Sequence, residues 1–192
     1  MIVDLKNVNM AIAVNFEEDF FELKPLFQNE NKIATFESPQ IDGSTKLLKI
    51  EIDNEAHPLL PDVYNLAFGP VDRKGNIDDS ARLRHKDYSK VFSTIVLHAG
   101  MYLSRNREHF LGIDGSSNGR AYLYYRFIQR NFDYLTSRFN IYGLKYYVRI
   151  TRFGKTQYQN PFNFRDILPD FVLIAKDEKI LDELMYNYSF SV

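Results

Sequence analysis

Residues 33–68 alternate apolar and polar positions, and residues 88–139 repeat apolar positions every three or four residues. The first period belongs to strands with one buried face, the second to helices with one buried stripe. Residues 33–37 and 45–53, the latter carrying Leu47, Leu48, Ile50 and Ile52, are expected to pair as an antiparallel hairpin. The turn between them, residues 39–44, contains Asp42-Gly43, which supplies the dihedral angles a reversal needs. Residues 63–68, VYNLAF, read as a third strand closed by Gly69-Pro70, and Gly75-Asn76 marks a turn in the polar loop that follows.

Asp87 is placed to cap a helix, because its carboxylate can accept the free amides of a first turn. Tyr88, Val91, Phe92, Ile95, Ala99 and Tyr102 then lay an apolar stripe along one face, ending near residues 105–107, where cations suit the helix dipole. His98 sits at the edge of that stripe and reads as a packed, neutral histidine. Residues 109–113 are expected as a short strand. A second helix is expected from the polar turn at residues 114–119 to about Phe139, with Ala121, Tyr125, Ile128, Phe132, Leu135 and Phe139 facing inward. Residues 142–152 and 171–175 read as strands, residues 161–169 as an irregular connection, and Asp177 as the start of a short helix through Tyr186. At the other end, residues 8–14 suit a strand, and Phe20, Phe21, Leu23 and Leu26 suit a short helix over residues 17–27 ended near Pro25.

The order strands, helix, strand, helix, strands defines an α+β class: a largely antiparallel sheet with two long helices packed on one face. With no repeat and no long linker, residues 1–192 read as a single domain, in which residues 1–32 extend a core of about 33–176.

Composition chiefly removes function classes. The chain has no cysteine, which excludes disulfides, cysteine-based zinc sites and thiol nucleophiles. His57, His85, His98 and His109 fall at no ligand spacing, so neither a metal nor a cofactor is expected. Asp78-Asp79 lies on a polar loop and reads as a solvated pair. Ser116 can be combined with His85 or His98 and an aspartate on paper, but no spacing supports hydrolysis. The apolar run near the amino terminus is too short for a membrane span, is followed by acids and has no basic stretch before it. No signal peptide and no membrane partner are expected, and the cytoplasm is the expected location.

The net charge of −1 hides an asymmetry that changes the picture. Residues 1–64 carry twelve acids against five lysines, whereas residues 115–165 carry nine bases against the single acid Asp133. The two halves can attract each other within one chain, or the basic half can face a phosphate-bearing ligand.

Candidate chemistry concentrates at residues 114–130, DGSSNGRAYLYYRFIQR. A strand, a Gly-Ser turn and a helix start together leave unpaired amides facing outward, where the helix dipole favours an anion. Gly115 permits close approach, while Ser116 and Ser117 can cap the helix or hold a ligand oxygen. Arg120 in the first turn opposes the dipole unless something negative offsets it. Arg126 and Arg130 share a face, with Asp133 in reach of Arg130. Neither G-x-x-x-x-G-K-[ST] nor G-x-G-x-x-G is present. Aromatic residues, 15% of the chain, interleave with these cations, an arrangement that suits stacking on unpaired bases, although most of the rings belong to the core.

Three stretches together, VYNLAFG at residues 63–69, GNIDD at 75–79, and GSSNGRAYLYYRFI running on to FNIYGL at 139–144, resemble a family of small bacterial proteins known as a domain of unknown function. The resemblance covers roughly residues 33–152. It places Gly115, Ser116, Arg120, Tyr125 and Arg126 at motif positions, and implies a shared fold without an activity. The chain departs from the pattern at Pro70, where the family tends to have an acid, and in its amino-terminal stretch.

Three functions compete on these grounds. The leading one is binding of a phosphorylated or nucleic-acid ligand through Gly115, Ser116, Ser117, Arg120, Arg126 and Arg130. The second is a protein interaction module or homo-oligomer in which acidic and basic halves meet. The third is a toxin-like enzyme acting on RNA or a nucleotide, with no catalytic residue indicated.

Overall fold

The computed structural model describes residues 13–25, 31–58, 60–78, 81–113, 118–148 and 167–177. Its main sheet runs β1 (Lys24–Pro25), β2 (Ile33–Pro39), β3 (Thr45–Ala56), β4 (Val63–Pro70), β5 (Phe110–Gly112), in that spatial order. Neighbours are antiparallel except β4 and β5, which are parallel and joined through helix α1 (Tyr88–Arg105). A parallel pair requires such a crossover, because a tight turn cannot reverse the chain twice. The protein is therefore α+β, with a mostly antiparallel sheet.

Register explains the core. Ala34 faces Ile50, Phe36 faces Leu48, Ile50 faces Phe68 and Ile52 faces Leu66, so the inward positions of three strands form one apolar surface. Thr35, Glu37, Lys49 and Glu51 point the other way, and Lys49 pairs with Glu51 at 2.7 Å across that face. Gly43 and Gly75 both take positive φ, +82° and +86°, which is what fixes the two turns read from their Asp-Gly and Gly-Asn pairs. Asp87 Oδ1 accepts the Lys90 amide at 2.9 Å and caps α1, whose Tyr88, Val91, Phe92, Ile95, Ala99 and Tyr102 are all buried. Val91, Phe92 and Ile95 each contribute roughly 1.5–3 kcal/mol on burial.

Three expectations are corrected. First, residues 17–25 of the expected helix over 17–27 are not helical: residues 13–23 form a strap across α1, followed by β1, and residues 26–27 lie outside the described residues. Side chains from elsewhere capture its backbone amides: Ala13 N donates to Ser89 Oγ (3.1 Å), Val14 N to Asn131 Oδ1 (2.9 Å), Asn15 N to Ser93 Oγ (3.0 Å) and Phe21 N to Thr94 Oγ1 (2.8 Å). Within the expected helix the Phe21 amide is the one captured, and a helical turn there would withdraw it from Thr94, while Val14 and Phe16 just before it are buried in the core. Residues 8–12 lie outside the described residues, and 13–14 are not strand.

Second, the expected long helix is two: α2 (Asn118–Arg130) and α3 (Phe132–Thr136). Asn131 breaks it, with φ −109° and ψ 21°. Its Nδ2 donates to the Phe127 carbonyl at 2.9 Å while Oδ1 receives Val14, so one buried side chain both ends α2 and anchors the strap. Third, β6 (Tyr142–Val148) and β7 (Ile167–Leu173) pair antiparallel as a separate two-stranded sheet, and Pro169 lies within β7 rather than in a connection. Residues 149–166 and the closing helix expected after Asp177 fall outside the described residues.

Candidate functional site

Helix α2 presents two unlike faces. Leu123, Tyr124, Tyr125, Phe127 and Ile128 are buried, with Phe127 stacked on Phe92 of α1 at 4.5 Å and Tyr124 against Phe68 of β4 at 5.9 Å. Tyr124 and Phe127 thus join the inward stripe read from the sequence, which is wider than expected. The outward face carries Tyr122, Arg126 and Arg130 at successive spacings of four. Tyr122 is 43% exposed, and the Arg126 guanidinium lies over its ring at 5.8 Å. That distance is within cation–π range, so the pair forms a flat, positively charged platform.

No acid stands in the first turn of α2, and Arg130 is the cation of its last turn, where it complements the dipole. Asp133, expected near Arg130, instead forms an ion pair with Lys176. Among the described residues no carboxylate forms an ion pair with Arg126. Of the residues assigned to the site, Arg120 stands in the first turn of α2, and Arg126 and Arg130 stand on its exposed face. Gly115, Ser116 and Ser117 lie outside the described residues, as do Asp79 and residues 149–166.

The charge asymmetry has a local expression. Glu17 of the strap binds Arg138, whose Nε lies 3.2 Å from Glu17 Oε1, and Asp19 pairs with Lys90 at 3.3 Å. Acidic amino-terminal residues therefore meet cations of the same chain.

A polar cluster that sequence spacing could not reveal lies inside the protein. His85 Nδ1 is 2.8 Å from Ser38 Oγ and 3.1 Å from Gln40 Nε2, although 47 and 45 positions separate them in the chain. Gln40 Oε1 accepts the Arg84 amide at 3.0 Å, which fixes the orientation of the carboxamide and makes its nitrogen the group facing His85. An amide nitrogen only donates, so Nδ1 is the acceptor and the imidazole proton sits on Nε2. His85 is 0% exposed, and burial pushes its pKa down to about 4. A serine–histidine contact with no solvent access cannot reach a substrate, so this cluster fastens β2 to residues 83–86. His98 is likewise buried, and burial lowers its pKa, as its place on the edge of the α1 stripe led one to expect. His109 is half-buried, stacked on Tyr64 at 4.4 Å with Nδ1 2.8 Å from Tyr102 Oη.

Among the described residues no group of three or more His, Asp or Glu side chains is arranged to hold a metal ion, and no helix is long and apolar enough to cross a membrane.

An α+β sheet protein whose second helix is apolar inward and arginine-bearing outward is the class these features define. The chain belongs to a family of unknown function, DUF6934, whose model matches residues 19–166. That span includes the stretches at 63–69, 75–79 and 115–144, and it begins inside the segment read as an amino-terminal addition. Neither a search of curated proteins nor a search of solved structures found a match.

Proposed function

We propose that the outward face of α2, with the turn preceding it, binds a phosphate-bearing ligand, and that the ligand is single-stranded nucleic acid. The observation that carries this reading is the exposed Tyr122 ring with Arg126 laid over it. This helix keeps the Tyr122 ring in solvent with the Arg126 guanidinium over it, and Arg130 follows on the same face. A tyrosine face stacks on any base, while guanidinium groups hold phosphate oxygens, which is the combination single strands require. Arg120 belongs to a first turn without acids, and Gly115, Ser116 and Ser117 precede it in the sequence; the proposal assigns them to phosphate oxygens of the same ligand. In this reading both long helices lie on one face of the sheet, leaving the outer side of α2 open. Phe68 of β4, in contact with both Phe92 of α1 and Tyr124 of α2, supports that arrangement.

Fluorescence anisotropy with labelled single-stranded and double-stranded oligonucleotides at several salt concentrations tests the reading. Single strands are expected to bind more tightly, with log K falling by about 0.7 per log unit of salt for each phosphate contacted. Arg126→Ala should flatten that slope by about one contact. Tyr122→Ala should weaken single-strand binding by about 1–3 kcal/mol and leave the slope alone. No binding at low salt, or an affinity that salt does not change, would overturn the proposal.

A further inference from the structure

Among the described residues, the core between β4, β5, α1 and α2 is not filled. A cavity of about 70 Å³ opens there, bounded by Leu66, Val96, Ala99, Ile128 and Phe139 among others. Every lining side chain among the described residues is hydrocarbon or aromatic, with the phenol of Tyr124 as the one polar group. Native interiors rarely leave a void larger than one water molecule, because side chains interdigitate to crystal-like density. A water in this space would find almost no hydrogen-bond partners, and apolar holes of this kind stay dry and take up apolar molecules.

The walls also explain why the space does not close. Phe92 and Phe127 are stacked at 4.5 Å, which fixes the approach of α1 to α2. On the far side, α1 faces the Phe139 ring, which would lie 3.4 Å from a Cβ at Gly100, so a single methyl group would span that gap. Phe139 is backed in turn by Phe16 of the strap, at 5.8 Å. Between these two contacts α1 offers Ala99, the smallest side chain of its buried stripe, at the cavity itself. The hole therefore lies where a small residue of α1 stands between the Phe92–Phe127 stack and the Phe139 ring.

We propose that this cavity is a binding site for a compact, uncharged apolar molecule. A cavity of roughly 150 Å³ accommodates benzene, so the present volume suits about three to five non-hydrogen atoms. Branched, near-spherical hydrocarbons match it better than flat rings or long chains. The site lies on the opposite face of α2 from the Tyr122 and Arg126 platform and does not depend on it.

Methyl-resolved NMR of the full chain tests the proposal, with xenon, 2-methylpropane and benzene as probes. Saturable shifts of the Ile95, Ile128 and Ile141 methyls are expected with 2-methylpropane, at an affinity at least ten-fold tighter than for benzene. Ala99→Leu, which places three further carbons in the cavity, should abolish the shifts. Should that variant fail to fold, Ala99→Val should fold and weaken binding at least ten-fold. Xenon uptake with no size selection between the hydrocarbons would mark a packing void and overturn the proposal. So would binding that persists unchanged in the folded Ala99 variant.

Discussion

His85 shows how a single buried side chain ties stability to pH. Desolvation holds its folded-state pKa near 4, against an ordinary value of 6.5, so the unfolded chain takes up a proton that the native state refuses. The stability that neutral His85 contributes is therefore complete above pH 6.5 and is lost as pH falls from 6.5 towards about 4. The loss runs at up to about 1.4 kcal/mol per pH unit. His98 shifts in the same direction, for the same reason, and adds to the slope. Urea unfolding at pH 7.5, 5.5 and 4.5 is expected to show a falling midpoint, and His85→Phe should reduce the acid sensitivity. The native histidine also carries a hidden cost. Its Nε2 proton has no hydrogen-bond partner among the described residues, a burden of roughly 1–3 kcal/mol that the phenylalanine variant removes.

At the scale of elements, Asn131 does two jobs. It receives the Val14 amide and donates to the Phe127 carbonyl, so Asn131→Ala leaves a buried amide unpaired and frees the end of α2. A loss of roughly 1–3 kcal/mol is expected in denaturant unfolding, accompanied by faster hydrogen exchange at Val14. The same residue shows where sequence reading stops. The hairpin β2–β3, the strand β4 and the capped helix α1 were legible because each is specified locally, by alternation, by Asp-Gly and by Asp87. The break at Asn131 was not, because Phe132, Leu135 and Phe139 continue the helical spacing straight across it. The strap was misread as a helix for a related reason. Phe20, Phe21 and Leu23 carry a helical pattern, but Thr94, 73 positions away, captures the Phe21 amide, and Ser89, Ser93 and Asn131 hold the amides of residues 13–15 before it. Part of the candidate site was legible too: the two exposed arginines of α2 follow from their spacing. The exposed Tyr122 did not stand out, since the other aromatic residues of the basic stretch looked alike in composition and only packing separates Tyr122 from Tyr124 and Tyr125.

For the whole molecule, the acidic and basic halves of the chain meet internally at Glu17–Arg138, with Asp19–Lys90 beside it. Both pairs are substantially exposed, so water and salt screen them and each contributes little. Glu17→Gln is expected to lower stability only slightly at low salt and by nothing measurable at molar salt, as thermal unfolding at the two conditions would show. The weight of strap attachment then falls on Val14, Phe16 and the captured amides rather than on charge.

That attachment has a consequence for which substitutions the strap tolerates. Ser89, Ser93, Thr94 and Asn131 all grip N–H groups, a feature that nineteen of the twenty amino acids share, so at Ala13 the hydrogen bond is indifferent to side-chain identity and hostile to one residue alone. Ala13→Ser should leave the melting temperature where it is, whereas Ala13→Pro deletes the donor to Ser89 and should lower it by several degrees. Comparing a proline scan with a serine scan over residues 13–15 would separate what the main chain contributes from what the side chains do.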